Sequence, residues 1–410
     1  MQPENLYENV GAMTRMCLDK IMDFNYTFLD DETEELTEDF LSGNYAFKSF
    51  SDGLTECIQQ HGFFGDVTSV AEKTAFLKEQ CLQNHVPLNP AVIKSWFTDK
   101  RPISEQRSRE NVFRLCFALG CTLEETTDFF LHVYFECPFN FRIANEAIYF
   151  YCLLNHLDYP TALTLQEKAD AILKQAETNT HESAYAFTKQ IGTELKTIHT
   201  EEELLQYFQR HSYEFLSVNQ TAYGYANQLL EECTELASQL YQCCPELEEE
   251  SRHIGKKKNI DLLLFMLLGV DLLSYAKEDK SQSFAKAAQF PELIKSNFPL
   301  KMQLSNIQHR KKVSYDAMRK ALILLNFYSY FADMKSETLK RHGDFFVMEE
   351  DFLTFVEETN DLLTTCGYPP FYARNPYDWL ILHCANQPDP LQEFQNAMQA
   401  YYVAPLDENF

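Results

Sequence analysis

A short polar segment near residue 300 carries the side chains with the most informative chemistry in this sequence. Four of them can hydrogen-bond to base edges: Lys301, Gln303, Asn306 and Gln308. Three consecutive cations follow and could hold phosphates: Arg310, Lys311 and Lys312. Gln and Asn pair bidentately with adenine, and Lys and Arg neutralise phosphate oxygens. The segment therefore indicates a DNA-contacting helix followed by a phosphate-binding turn.

Such a helix needs one face that anchors it. Leu304 and Ile307 are three residues apart, so we expect them to turn inward while Gln303 and Asn306 are exposed on one side of the helix. An earlier segment repeats the layout with fewer polar groups. Its candidate DNA contacts are Lys94, Lys100 and Arg101. We expect its Trp96 to pack in the core or to contact a protein.

The charge of the whole chain opposes nucleic acid. There are 35 Lys and Arg against 61 Asp and Glu, a formal net charge of −26. Between Arg252 and Lys320, however, fourteen basic residues accompany six acidic ones, a local excess of eight positive charges. An acidic protein that binds DNA needs such segregation, because the duplex is a dense array of negative charge. Basic triplets are also common at solvated helix ends and in loops, so the alternative is that these cations are simply solvated and bind no ligand.

Motifs for catalysis are missing from the sequence. It contains no GxxxxGK[ST], GxGxxG, GxSxG or HExxH pattern, and adjacent acidic pairs such as Glu124-Glu125 diverge on a helix. The twelve cysteines show no CxxC or Cys/His ligand spacing, so we predict neither a disulfide framework nor a metal site. We expect a binding protein with no catalytic residues, no cofactor and no metal.

The sequence also predicts the compartment. The N-terminus lacks a basic segment followed by an apolar run, and the most apolar stretch, at 260–268, is too short to cross a bilayer. We therefore expect a cytoplasmic protein that does not bind membranes.

The chain contains an internal repeat. EETTDFF at 124–130 matches EETNDLL at 357–363, and PFNFR at 138–142 matches PFYAR at 370–374. Several pieces in the same order are harder to obtain by chance than one.

An acidic residue follows each PFxxR motif. Arg142 is four residues before Glu146, and Arg374 is four before Asp378, so each pair lies on one helix face and is expected to form an i,i+4 ion pair. The predicted role of the motif is architectural.

Upstream pieces extend the repeat. Segment 95–103 aligns with 305–313, and segment 108–119, a helix expected to begin at Ser108, aligns with 314–325. This register gives the first copy four extra residues in its basic loop. It also gives the second copy an insertion over roughly 327–350.

The repeated unit resembles the phage-repressor-type helix-turn-helix family. The residues of the first copy that carry the resemblance are Lys100-Arg101-Pro102, Ser108, Leu115, Ala118, Leu119, Gly120, Leu123, Glu124 and Glu125. Those of the second copy are Leu304, Ser305, Ile307, Lys311, Lys312, Ser314 and Lys320, with Arg310 where the family prefers glycine. The resemblance implies tandem helix-turn-helix units that bind double-stranded DNA. It also implies that Gly120 ends a helix in a left-handed cap before the next helix starts at Thr122.

These patterns predict an all-α, multi-helical protein with tandem helix-turn-helix-like bundles. The expected segments are an N-terminal helical part (1–66), the first unit (67–160), an acidic helical connector (161–250) and the second unit (251–410).

The sequence is compatible with two functions. The first is a bacterial-type, cytoplasmic transcriptional regulator that binds double-stranded DNA. The alternative is an acidic all-helical adaptor or inhibitor that kept the fold and binds a protein partner through its acidic surface. Whether the chain forms a homodimer stays open.

Overall fold

The computed structural model is all-helical wherever it describes the chain. The described residues are 49–98, 102, 106–176, 188–212, 215, 219–243, 259–268, 301–341, 343, 345–372 and 375–402. Every regular element in these ranges is a helix, which confirms the predicted all-α, multi-helical class. Within the same ranges, none of the helices has both the length and the apolar character needed to cross a bilayer.

The described chain divides into two units, the first ending at Gln220 and the second starting at Thr221. The segment expected to be a connector, 161–250, is thus shared between them. The helices of the first unit are α1 (Phe50–Gln60), α2 (Val70–Gln83), α3 (Pro90–Trp96), α4 (Gln106–Leu119), α5 (Leu123–Phe129), a π-helical turn (Phe130–Tyr134), α6 (Ala144–Leu154), α7 (Tyr159–Ala176), α8 (Thr188–Leu195) and α9 (Glu201–Arg210).

The second unit repeats several of these elements. Its helices are α10 (Gln220–Cys243), α11 (Ile260–Leu268), α12 (Lys301–Gln308), α13 (Tyr315–Lys340), α14 (Glu349–Thr365), α15 (Pro376–Ala385) and α16 (Pro390–Tyr402). In α13, one buried stripe from Ala321 to Leu325 and onward to Phe331 anchors the helix in the core of this unit.

Gly120 ends helix α4 as predicted. Its φ is +67°, its N–H donates to the Phe117 carbonyl at 3.1 Å, and the Cys121 N–H donates to the Cys116 carbonyl at 2.9 Å. These are the two hydrogen bonds of a Schellman cap. Thr122 then caps α5 in a reciprocal capping box with Glu125. The start of α4 was placed too late, because Ser108 lies inside a helix that begins at Gln106.

A buried ion pair joins α4 to α6 in the first unit. Arg109 donates from Nε and Nη2 to the two carboxylate oxygens of Glu146, at 3.0 and 2.7 Å. Nη2 also donates to the Cys137 carbonyl at 2.9 Å, and the Asn140 N–H donates to Glu146 Oε2 at 2.8 Å. Both members of the pair are therefore fully engaged in the interior.

The second unit contains the same arrangement. Arg319 on α13 donates from Nη1 and Nη2 to Asp378 on α15, at 2.8 and 2.7 Å. Its guanidinium also donates to the carbonyls of Pro369 and Pro370, and the Tyr372 N–H donates to Asp378 Oδ2 at 2.8 Å. We call each arrangement a latch, made of one arginine, one carboxylate and the PF segment between them.

The latches correct two expectations. The partner of Glu146 is Arg109, 37 positions away, and not Arg142, which lies in the turn before α6 and so does not share a helix face with Glu146. Arg374 lies outside the described residues. Arg109 aligns with Arg319 at the same offset that aligns 95–103 with 305–313, so the alignment runs through the basic loops without a gap. The first copy therefore has no extra residues in its basic loop, contrary to the sequence-based alignment.

One extra residue of the first copy is absorbed in a π-helical turn. Eight positions separate Phe130 from Pro138, whereas seven separate Leu363 from Pro370. The π turn over 130–134 accommodates this residue, as π-bulges do within α-helices. Both copies then reach a left-handed residue three positions before the proline, with φ of +57° at Phe135 in the first and +77° at Gly367 in the second.

The insertion in the second copy consists largely of helix. Helix α13 continues to Lys340, where the first copy has already stopped at Gly120, and α14 begins eight residues before its EET motif. The insertion thus lengthens two helices that pack against each other, through Phe331 on Phe355 among other contacts.

Candidate functional site

The predicted DNA-contacting segment folds as helix α12 followed by a tight turn. Leu304 and Ile307 are fully buried, as their spacing predicted. They fix α12 on the core of the second unit, so the polar residues between them are held at defined positions.

The turn after α12 is also a Schellman cap. The Lys311 N–H donates to the Asn306 carbonyl at 2.8 Å, and the Arg310 N–H donates to the Ile307 carbonyl at 3.0 Å. Arg310 adopts the left-handed backbone conformation, with φ of +52°. It stands at the position where the helix-turn-helix family that this unit resembles prefers glycine. A non-glycine residue pays roughly 1–2 kcal/mol for this backbone. The turn forms nonetheless, and it exposes the side chains of Arg310, Lys311 and Lys312.

Helix α10 holds this turn in place. The Tyr223 hydroxyl donates to the Lys311 carbonyl at 2.6 Å and accepts from the Val313 N–H at 3.1 Å. The Asn227 side-chain amide donates to the Ile307 carbonyl at 3.2 Å. Burial raises the pKa of Tyr223, which keeps its hydroxyl available as a donor. The backbone of the turn is thus fixed by a helix that the sequence placed in a connector.

The four candidate base readers are less available than predicted. Lys301 forms an ion pair with Asp261, with Nζ 2.6 Å from Oδ1. Gln308 is exposed but lines a shallow recess beside the same Asp261. Gln303 and Asn306, expected to be exposed, are half-buried. The expectation failed because α12 is only two turns long and lies against neighbours on more than one side.

The candidate contacts of the first unit are sparse. Lys94 is exposed on α3, whereas Trp96 is 2% exposed and packs in the core against Phe50. Lys100 and Arg101 lie outside the described residues. Helix α3 therefore presents one cation to solvent within the described chain, which is too little charge to hold a duplex by itself.

Comparisons with family models, curated proteins and solved structures find no match to this chain. No relative therefore indicates a function. The function has to follow from the side chains that the fold brings together.

The fold also assembles a group of side chains that the sequence analysis missed. Cys57, His61 and Cys121 place their ligating atoms within 4.8 Å of one another. The sequence carries one local signal, the spacing of four positions between Cys57 and His61 at the end of α1, which the sequence analysis overlooked. Cys121 lies 60 positions after His61 and joins the pair only in the fold. The expectation that the protein binds no metal stays a prediction.

Proposed function

We propose that this protein is a regulator that binds double-stranded DNA through the turn after α12. The observation that carries the proposal is the exposed run of Arg310, Lys311 and Lys312 on a turn whose backbone is already fixed. Three cations on one rigid turn bind phosphates more favourably than the same charges on a mobile loop, because less conformational entropy is lost on binding.

The burial pattern restricts base contacts to part of α12. Lys301 is neutralised by Asp261, and Gln308 faces the recess beside it, so neither is assigned to the DNA. Asn306 is one helical turn before the cations and keeps part of its side chain accessible. We assign Asn306 the base contact and Gln303 a supporting role, with the turn supplying affinity.

The first unit has a structural role in this proposal. Its short helix α3 exposes Lys94 but buries Ile93 and Trp96. The unit repeats the latch without repeating the basic turn in its described residues. We assign this unit to dimerisation or partner docking, and the protein acts by occupying DNA without performing chemistry there.

The adaptor function keeps one specific observation in its favour. Asp261 lies beside α12 and forms an ion pair with Lys301, which shows that this face can hold a basic group. The net charge of −26 acts in the same direction. A basic protein partner at the recess is the alternative.

Salt-titrated binding to duplex DNA separates the two. If three phosphates are held, the logarithm of the association constant falls with the logarithm of salt concentration with a slope near −2.7, at about 0.9 for each contact. Lys311→Ala should reduce the slope by about 0.9 and weaken binding to every sequence.

Arg341→Ala is the matched control, because Arg341 is an exposed cation of the same unit. It follows α13, whose 26 residues place it roughly 39 Å along the helix from the turn. This variant should bind like the wild type. Equal effects of the two substitutions, or no binding of the wild type at low salt, would favour the adaptor.

A further inference from the structure

Three potential metal ligands converge in the first unit, far along the chain from the basic turn. Cys57 lies in the last turn of α1, His61 directly follows that helix, and Cys121 follows the Schellman cap at Gly120. Cys121 Sγ and His61 Nε2 are 3.6 Å apart. Cys57 is half-buried and Cys121 is buried, while the His61 side chain is 15% exposed.

We propose that Cys57, His61 and Cys121 bind a zinc ion, with Glu125 as the fourth ligand. Zinc sits about 2.3 Å from a thiolate sulfur and about 2.0–2.1 Å from an imidazole nitrogen. A tetrahedral angle between those bonds separates sulfur and nitrogen by about 3.6 Å. This is the separation found between Cys121 and His61.

Glu125 lies beside this group but outside the 4.8 Å within which the three ligating atoms converge, so its carboxylate must turn inward to take the fourth place. Its Oε2 accepts the Thr122 N–H at 2.7 Å, which orients the carboxylate. Its Oε1 then lies 3.9 Å from His61 Nε2. The side chain is 46% exposed, so an ion can enter from this side.

The local electrostatics favour a cation. Both α1 and α4 end at the cluster, and the carboxyl end of a helix carries a partial negative charge. Two thiolates add the negative charge that a divalent ion requires. Sulfur and imidazole ligands select zinc over magnesium or calcium, which prefer oxygen.

Binding must release protons. A cysteine thiol that binds no metal is largely protonated at neutral pH, because its ordinary pKa is about 8.5. When zinc binds, each S–H bond breaks, its electron pair forms the Zn–S bond, and two protons pass to solvent per ion.

The four ligands give the site a structural role. Cys57 and Cys121 are 64 positions apart, so the ion joins the end of α1 to the connection between α4 and α5. A closed four-coordinate site of this kind supplies folding free energy and leaves no position for a substrate.

The test uses the full chain, stripped of metal by a chelator and kept reduced. Zinc is titrated against a chromophoric competitor, and cobalt(II) serves as a spectroscopic probe. We expect one tight equivalent of zinc, two protons released per ion in weak buffer, and a cobalt spectrum with thiolate charge-transfer bands and tetrahedral d–d bands.

Variants identify the ligands. Cys121→Ser and His61→Gln should weaken zinc binding more than about 100-fold, since the loss of an outer-shell partner already costs 10–100-fold. Glu125→Gln keeps the cap and should weaken binding less. Cys243→Ser and His199→Gln remove an exposed thiol and an exposed imidazole elsewhere and should change nothing.

Two results would overturn the proposal: the absence of a one-to-one complex, or wild-type zinc affinity in both Cys121→Ser and His61→Gln. If Cys121→Ser does not fold, the zinc affinity of His61→Gln, which alters a partly exposed helix end, and the cobalt spectrum of the wild type still test the proposal. Lys311→Ala should bind zinc normally, so this proposal and DNA binding can fail separately.

Discussion

Glu146 and Asp378 occupy the same place in the two units, eight residues after the proline of a Pro-Phe motif, and each accepts two hydrogen bonds from one buried arginine. The side-chain carboxylates of both are 0% exposed. A buried pair adds little net stability compared with apolar residues of the same shape, but removing one member leaves a charge without compensation. The latches therefore fix geometry more than they add stability.

Glu146→Gln should destabilise the first unit strongly. The substitution keeps the shape and leaves Arg109 buried without its countercharge, which costs about 3–5 kcal/mol of unfolding free energy. Urea unfolding gives the value. Arg142→Gln is the control, since Arg142 is half-buried in the turn just before α6 and is not the partner of Glu146; its effect should stay below about 1 kcal/mol. Equal losses would mean that the local pair matters after all.

Arg310→Gly should stabilise the second unit while it weakens DNA binding. Glycine adopts φ of +52° freely, so the folded state gains about 1 kcal/mol. Arg310→Ala removes the same charge but keeps the left-handed strain. It should weaken DNA binding equally without the gain in the urea midpoint. A loss of stability in the glycine variant would contradict the claim that the left-handed backbone of Arg310 costs free energy in the folded state.

Asn306→Ala tests the base contact. Against a preferred site selected from random duplexes, the substitution should cost about 1–3 kcal/mol of binding free energy, and against random DNA little. Lys311→Ala should weaken both. If Asn306→Ala affects all duplexes alike, Asn306 contacts no base and the half-buried helix only supports the turn.

Alkaline pH should destabilise the protein through its buried thiols. Burial raises the pKa of Cys81 from 9.0 to about 11 and that of Cys152 to about 12. The unfolded chain ionises these thiols near pH 9 while the folded chain keeps them neutral. Their contribution is therefore complete below pH 9 and is lost as the pH rises through about 11 for Cys81 and about 12 for Cys152. The expected slope is about 1.4 kcal/mol per pH unit for each thiol.

Urea midpoints between pH 8 and 10.5 measure this dependence. Cys81→Ala should flatten the curve above pH 9, whereas Cys243→Ala, at an exposed position, should leave it unchanged. An unchanged slope in Cys81→Ala would exclude this thiol as a cause.

Two glycine substitutions should have opposite signs. A Cβ at Gly53 would lie 2.6 Å from Val133 Cγ1, so Gly53→Ala overpacks the contact of α1 with the π turn and should cost about 1–3 kcal/mol. A Cβ at Gly224 meets nothing within 4 Å, so Gly224→Ala in α10 should stabilise by up to about 1 kcal/mol. Thermal or urea unfolding separates them, and Val133→Ala should relieve the first defect.

The sequence predicted those features that depend on residues close to one another in the chain. Helical periodicity and caps gave the all-α class, the cap at Gly120 and the burial of Leu304 and Ile307. The partner of Glu146 could not be found this way, because Arg142 is four residues away on the sequence and Arg109 only becomes near when α4 packs on α6. Likewise, nothing in the sequence near Tyr223 shows that it would cap the turn at Lys311, 88 positions later.

The π turn over 130–134 shows how the repeat tolerates changes in chain length. An added residue in a regular α-helix would rotate every later side chain by about 100°, and the Pro-Phe segment would then miss the arginine. Because the extra residue is confined to the π turn, Phe135 takes the position, three residues before the proline, that Gly367 has in the second copy. Changes in length are thus absorbed between fixed points, and the second copy could extend α13 and α14 as a hairpin while its latch stayed in register.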